Sequence, residues 1–205
     1  MKKHFLFNGR STLNLILNNL NLENKKEILI PDFSCDVLFQ KKRKDKFIFK
    51  FYKVKKNFYF DIDELQKKIN NNTRAIIIIN FFGIKQNTKK IYNICKKKGI
   101  CLIIDDCHTF YNLNKSINRY SDFIFFSPSK IFKSISNGGI LLEVSRRFPI
   151  KNYYFKNQNN NYFYPLKNFL KKINFDKFLK YFLKRPNYED LNAFRSKELI
   201  KDMNL

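Results

Sequence analysis

Lys130 is the residue of this chain whose setting most invites covalent chemistry. It follows a short aromatic and β-branched run, Asp122 to Phe126, that reads as a buried strand. The run breaks at Ser127-Pro128-Ser129-Lys130, because proline cannot donate to a sheet ladder. Lys130 is therefore expected in a turn just beyond a strand exit, with Ser127 three residues before it. Burial there would lower the amine's pKa and free it to hold a cofactor aldehyde as a Schiff base and to carry protons. Taken alone, the stretch reads more readily as placing one more surface cation of a lysine-rich chain at Lys130. A second candidate is Gly9-Arg10-Ser11 at the entry to a leucine-rich helix (10–20), where open backbone N–H groups, a charge and a hydroxyl could cradle a phosphate. An ordinary capped helix has the same pattern. The third is Asp105-Asp106-Cys107-His108, a carboxylate pair and an imidazole at the end of another apolar run.

These residues need elements to position them. Glu27 to Pro31 reads as a strand, Ser34 to about Lys41 as a helix, and Phe47 to Val54 as an alternating strand. Asp61 is placed to cap a helix reaching Ile69. The aliphatic runs at 74–80 and 100–104 belong to parallel strands covered on both faces. Between them Asn87 to Lys98 is amphipathic and stops at Gly99, a good C-cap. Ile140 to Val144 follows the glycine pair 138–139. Strands alternating with helices of this length specify βαβ units and a mostly parallel sheet. The expected fold is a three-layer α/β domain over residues 1–145, followed by a basic helical extension over 146–205. In such sheets ligands bind at the carboxyl ends of the strands. Gly9–Ser11, Pro31–Cys35, Asn80–Gly83, Asp105–His108 and Ser127–Lys130 all fall at strand exits or helix starts, so they could share one site.

Composition narrows the class further. The 205 residues are 44% hydrophobic and 17% aromatic, enough for a sizeable core. Lys and Arg number 41 against 17 Asp and Glu, a net charge of +24, which points to nucleic acid or an anionic membrane surface when it is clustered. Here lysine is spread along the whole chain beside abundant Asn, Ile and Phe, the pattern of a compositional bias, so no specific nucleic-acid partner is expected. Past Ser145 two basic stretches, LKNFLKKI and DKFLKYFLKR, read as helices docked on the domain or as a basic amphipathic surface. The four cysteines form no CxxC pair and only two histidines accompany them, so no zinc site is expected. No apolar run reaches the length of a membrane span and MKKHFLFNGR lacks the apolar core of a signal peptide, so a cytoplasmic protein is expected.

Taken in order, Gly9-Arg10-Ser11, IPDFSC (30–35), NFFG (80–83), KKGICLIIDDCHTF (97–110), SPSK (127–130) and the glycines 138–139 resemble the DegT/StrS-type pyridoxal-phosphate-dependent sugar aminotransferases. The resemblance covers roughly residues 5 to 144, and weakly 184–191. It implies pyridoxal 5'-phosphate as cofactor, with Lys130 as its covalent anchor and Asp105 keeping the pyridine nitrogen protonated. His108 falls on the family's histidine and Ile104 where a glutamate is usual. Ser127 and the Gly9–Ser11 turn would hold the phosphate, Asn80 would lie at the cofactor, and Cys35 takes a place where many members put an aromatic against the ring. The implied reaction moves an amino group from glutamate or glutamine to a keto group of a nucleotide-linked sugar, in a homodimer, for surface polysaccharide or related glycan synthesis. The family's smaller C-terminal domain is expected to be missing. Two other readings stay open: a silent relative serving as a binding module, and a basic nucleic-acid- or membrane-surface protein.

Overall fold

The computed structural model describes residues 1–20, 26–35, 38, 46–108, 118–130 and 138–151. The helix expected over 34–41 and the basic stretches after 151 lie largely or wholly outside these residues. Seven strands form one sheet in the order β1-β7-β6-β5-β4-β2-β3. They are β1 (Lys2–Leu6), β2 (Glu27–Pro31), β3 (Ile48–Tyr52), β4 (Thr73–Ile79), β5 (Cys101–Asp105), β6 (Phe123–Phe126) and β7 (Gly139–Glu143). The five from β2 to β6 run parallel, while β7 lies antiparallel between β6 and β1. The expected three-layer, mostly parallel α/β domain is the one observed.

The aliphatic runs explain the layering. In β4, Ala75, Ile77 and Ile79 point to one face and Ile76 and Ile78 to the other. The first face packs against Leu13, Ile16 and Leu17 of α1 (Gly9–Asn19), and the second against Leu65 of α2 (Ile62–Lys68) and Ile91 and Cys95 of α3 (Lys89–Lys98). Strands sealed on both faces have no solvated side and so carry no polar alternation.

Local signals set the helix ends. Asn8 caps α1 by accepting the Ser11 N–H at 2.9 Å, and Asp61 caps α2 by accepting those of Asp63 and Glu64, each at 3.1 Å. Gly99 ends α3 in the left-handed conformation at φ 66°. One strand is not expected from its residues: β1 is short and lysine-rich, and its carboxyl end delivers the chain to the α1 cap. His4 of β1 pairs with the Glu143 carboxylate of β7.

Candidate active site

Every parallel strand delivers its exit to one edge of the sheet, and α1 begins there because β1 runs in the same direction as β6. Gly9 opens α1 against the exits of β5 and β6. A Cβ built on Gly9 would lie 3.3 Å from Ser127 Cβ and 3.4 Å from Cys107 Sγ, so a side chain there would crowd both. The closeness of α1 is set one strand away, where a Cβ on Gly139 would come within 2.4 Å of the Asn8 carbonyl oxygen. Ser127 is buried, and its carbonyl accepts the Lys130 N–H at 3.0 Å, closing a short 3-10 turn over Pro128–Lys130. That turn carries Lys130 out of the sheet as expected, but the side chain is exposed rather than buried.

Cys107, given no role of its own within the 105–108 candidate, sits at the centre of the group. It is buried, and its N–H donates to the Asp105 carboxylate at 3.0 Å. Burial, then the Asp105 charge, push its thiol well above the ordinary range, while the Lys130 charge pulls the other way. Through Cys107 the structure brings together Gly9, Ser127, Asp105 and Lys130. Arg10 is exposed at the same helix start. Ser11 is turned inward on its own cap, its N–H and hydroxyl both donating to Asn8 Oδ1.

The neighbouring carboxylate serves a different group. Asp106 is fully buried and accepts from Asn80 Nδ2 at 2.7 Å. Asn80 Oδ1 accepts the Gln86 N–H at 3.1 Å, and Gln86 Nε2 donates to the Phe58 carbonyl at 2.9 Å while its Oε1 accepts the Phe60 N–H. This chain anchors a hairpin (54–60) to the exit of β4. His108 belongs to the same side: its ring lies 5.7 Å from that of Phe82, nearly parallel at 21°, and its Nδ1 accepts the Phe82 N–H. Phe82 and Phe58 hold φ of 49° and 63°, costs on the order of 1 kcal/mol each for non-glycine residues. Cys35 is exposed beyond β2 on the same edge.

Likeness to known proteins decides the lineage. The family model of the DegT/DnrJ/EryC1/StrS aminotransferases matches residues 5–162. The chain belongs to that family. No curated protein matches it by sequence. Among solved structures it is similar to PseC of Helicobacter pylori, an aminotransferase involved in the biosynthesis of pseudoaminic acid, at 18% identity and a TM-score of 0.61, over 76% of this chain and 46% of that one. A Streptococcus pneumoniae protein described as a sugar aminotransferase, in its PMP form, matches at 18% identity and 0.61, over 74% and 43%. A NifS-like protein matches at 20% and 0.61, over 76% and 45%. These likenesses establish the fold, and this DegT/DnrJ/EryC1/StrS chain spans less than half the length of each. For a family member the reading from sequence omits Cys107, Gln86 and the rings of Phe33, Phe58 and Phe82. An isolated cysteine carries no pattern, and a glutamine whose side chain bonds only backbone leaves none either.

Proposed function

We propose that this chain carries the large, cofactor-binding domain (1–145) of a pyridoxal-phosphate-dependent sugar aminotransferase, with 146–205 as an extension of it. It transfers an amino group from glutamate or glutamine to a keto group of a nucleotide-linked sugar, as a cytoplasmic homodimer. The observation that carries the reading is the convergence of Gly9, Ser127, Lys130, Asp105 and Cys107 at the exits of β5 and β6.

The residues present fit the cofactor. The crowding at Gly9 keeps the start of α1 free of a side chain, where an anion gains from the helix N terminus. Ser127 borders that turn, and Arg10 supplies a cation. Asp105 supplies a carboxylate for a ring nitrogen, and Lys130 an amine whose Nζ can take up a proton and return it. The Cys107 backbone N–H orients the Asp105 carboxylate, and the Cys107 thiol, held protonated by burial, adds no charge beside it. His108, stacked on Phe82, would add an imidazole beside the bound cofactor. When bound, the cofactor supplies an electron sink that the side chains lack.

The test is spectroscopic. Pyridoxal phosphate added to the full chain is expected to give a visible absorbance band that Lys130→Ala lacks, and Asp105→Ala is expected to keep binding but lose turnover. Sedimentation of the loaded protein should report a dimer. A Lys130→Ala protein that gives the same band as wild type would sink the assignment.

A further inference from the structure

The outer surface of the helix layer carries a charge pattern that the proposed reaction does not use. Between Glu64 and Asp105 lie forty residues with nine lysines and arginines and no carboxylate, although the chain's 17 carboxylates in 205 residues would place about three there. A bias spread evenly along the chain does not explain such a stretch. The fold then gathers its charges. α2 and α3 cover the same face of the sheet, packing Leu65, Ile91 and Cys95 inward, and they lie side by side, since Lys90 Nζ reaches Asp63 Oδ1 at 3.9 Å. Each runs from a strand exit back to the start of the next parallel strand, so both end on the same side of the molecule. α2 ends on Lys67-Lys68 and α3 on Lys96-Lys97-Lys98, all exposed. Arg74 of β4 links the two ends: it follows the turn after α2, and its guanidinium donates to the Gly99 carbonyl, just past α3, at 3.3 Å.

The carboxylates of the two helices, Asp63 and Glu64, sit in the first turn of α2, where Asp63 faces Lys90 and Glu64 takes Lys68 at 3.2 Å. Together the helices hold seven lysines against two carboxylates, a balance of +5. A basic last turn steadies a helix through its dipole, but one or two charges do that, and five on adjoining helix ends repel one another. A partner that supplies negative charge relieves that repulsion, and its kind follows from what the surface lacks. No large apolar side chain is exposed on α2, α3 or the turns that follow them, so nothing there can enter a lipid surface. The rings nearby are held under the protein's own cations. Tyr120 lies 5.8 Å from Lys89, Tyr92 5.4 Å from Lys96, and Phe148 5.1 Å from Arg74 and 5.0 Å from Arg147. These cations compete with unpaired bases for the ring faces. What the surface offers is a row of positive charge, the complement of a regular row of phosphates. We propose that the ends of α2 and α3 form a docking surface for the phosphate backbone of a nucleic-acid duplex, held by charge and blind to base sequence. The surface lies apart from the residues assigned to the cofactor and does not depend on that assignment.

Fluorescence anisotropy of the full chain with a short labelled DNA duplex of arbitrary sequence tests it. Binding is expected at about 0.1 M salt and should fall steeply as salt is raised. The combined variant Lys67→Gln, Lys68→Gln, Lys96→Gln and Lys97→Gln should weaken it roughly tenfold or more, and reduce the slope of log K against log salt by about three. A control variant, Lys53→Gln, Lys55→Gln, Lys56→Gln and Lys85→Gln, removes the same charge from the carboxyl edge and should keep most of the affinity and slope. Equal losses in the two variants overturn the site, because net charge alone would then account for binding. So does a wild-type chain that does not bind the duplex, or one that binds a single strand of the same length more tightly. Vesicles rich in phosphatidylglycerol that bind more tightly than the duplex would make this a membrane surface, and also overturn it. Should the helix variant not fold, acetylation of wild type serves instead. The duplex should protect Lys67, Lys68, Lys96 and Lys97 from the reagent and leave Lys53 and Lys56 reactive, and uniform protection overturns the site.

Discussion

The two edges of the sheet are built on opposite rules. At the amino edge, polar groups consume one another. Asp122, only 1% exposed, accepts from the Leu102 N–H, the Ser145 hydroxyl and the Arg147 guanidinium, and Arg147 donates onward to the Cys95 and Ile100 carbonyls, each at 3.0 Å. The same guanidinium lies 5.7 Å from the Tyr92 ring centre and 5.0 Å from that of Phe148. At the start of β2, buried Glu27 accepts from Lys50 at 2.8 Å and Asn70 at 2.7 Å. At the carboxyl edge, an exposed lysine, exposed rings and two positive-φ phenylalanines stand where strands give way to tight turns. One edge closes the structure, and the other holds groups in conformations that folding alone would not select. Damage at the amino edge should therefore appear as lost stability, and damage at the carboxyl edge as lost binding.

Arg147→Ala should give the largest effect on the first kind of measurement. It leaves the Asp122 charge buried with its main cationic partner gone and removes a donor from the Cys95 and Ile100 carbonyls. Losing one partner of a buried ion pair costs several kcal/mol, and because the Arg147 side chain is 23% exposed, the lower end, about 3 kcal/mol, is expected. Urea denaturation measures this, and binding to the folded fraction should be unchanged. A loss below about 1 kcal/mol would mean that the pair is an ordinary surface contact.

Gly139→Ala sharpens the contrast from the other edge. The added methyl would meet the Asn8 carbonyl at 2.4 Å and the Thr12 hydroxyl at 2.5 Å, and the first of these is backbone that cannot rotate away. The start of α1 must move outward. Overpacking of this kind costs about 1–3 kcal/mol, less than Arg147→Ala, but the moved helix start should cost the protein its affinity for pyridoxal phosphate. Retention of full affinity would show that α1 does not serve the phosphate.

What is legible in the sequence follows the same division. β4 and β5 can be read because continuous aliphatic runs have few other uses, and α2 because Asp61 marks its start. α3 begins at Lys89, two residues later than its amphipathic pattern suggests, since Thr88 is its cap, accepting the Tyr92 N–H, and Asn87 precedes it. β1 escapes the pattern because an edge strand needs little apolar patterning and its lysines read as a tail. At the site, the strand exits are enough to place Gly9, Ser127, Asp105 and Lys130 on one edge. The division of labour between Asp105 and Asp106 is not legible: it depends on strand pleat, which turns one carboxylate towards Cys107 and the other towards Asn80. The exposure of Lys130 is equally hidden, because a strand exit fixes where a residue leaves the sheet and not how far its side chain extends.

The smallest effect expected is a pH dependence, and it separates two carboxylates that both belong to the amino edge. Burial pushes Asp122 above its usual range even against its hydrogen bonds and Arg147. For Glu27, burial also acts upward, but the Lys50 and Asn70 contacts outweigh it and hold the carboxyl below its usual range. The linkage signs are opposite. Asp122 binds its proton more tightly folded than unfolded, so its contribution is fully present below the unfolded value and is lost as pH rises through the folded one. Glu27 contributes stability above the unfolded value and loses it as pH falls through the folded one. Denaturation curves taken between about pH 3 and pH 7 should therefore show the deficit of Asp122→Asn shrinking as pH rises, and that of Glu27→Gln shrinking as pH falls. Each variant removes one titration and leaves the other, so the two trends are independent checks. Deficits that stay constant across the range would mean that neither carboxylate shifts on folding, and the amino edge would then hold the sheet by packing and hydrogen bonding alone.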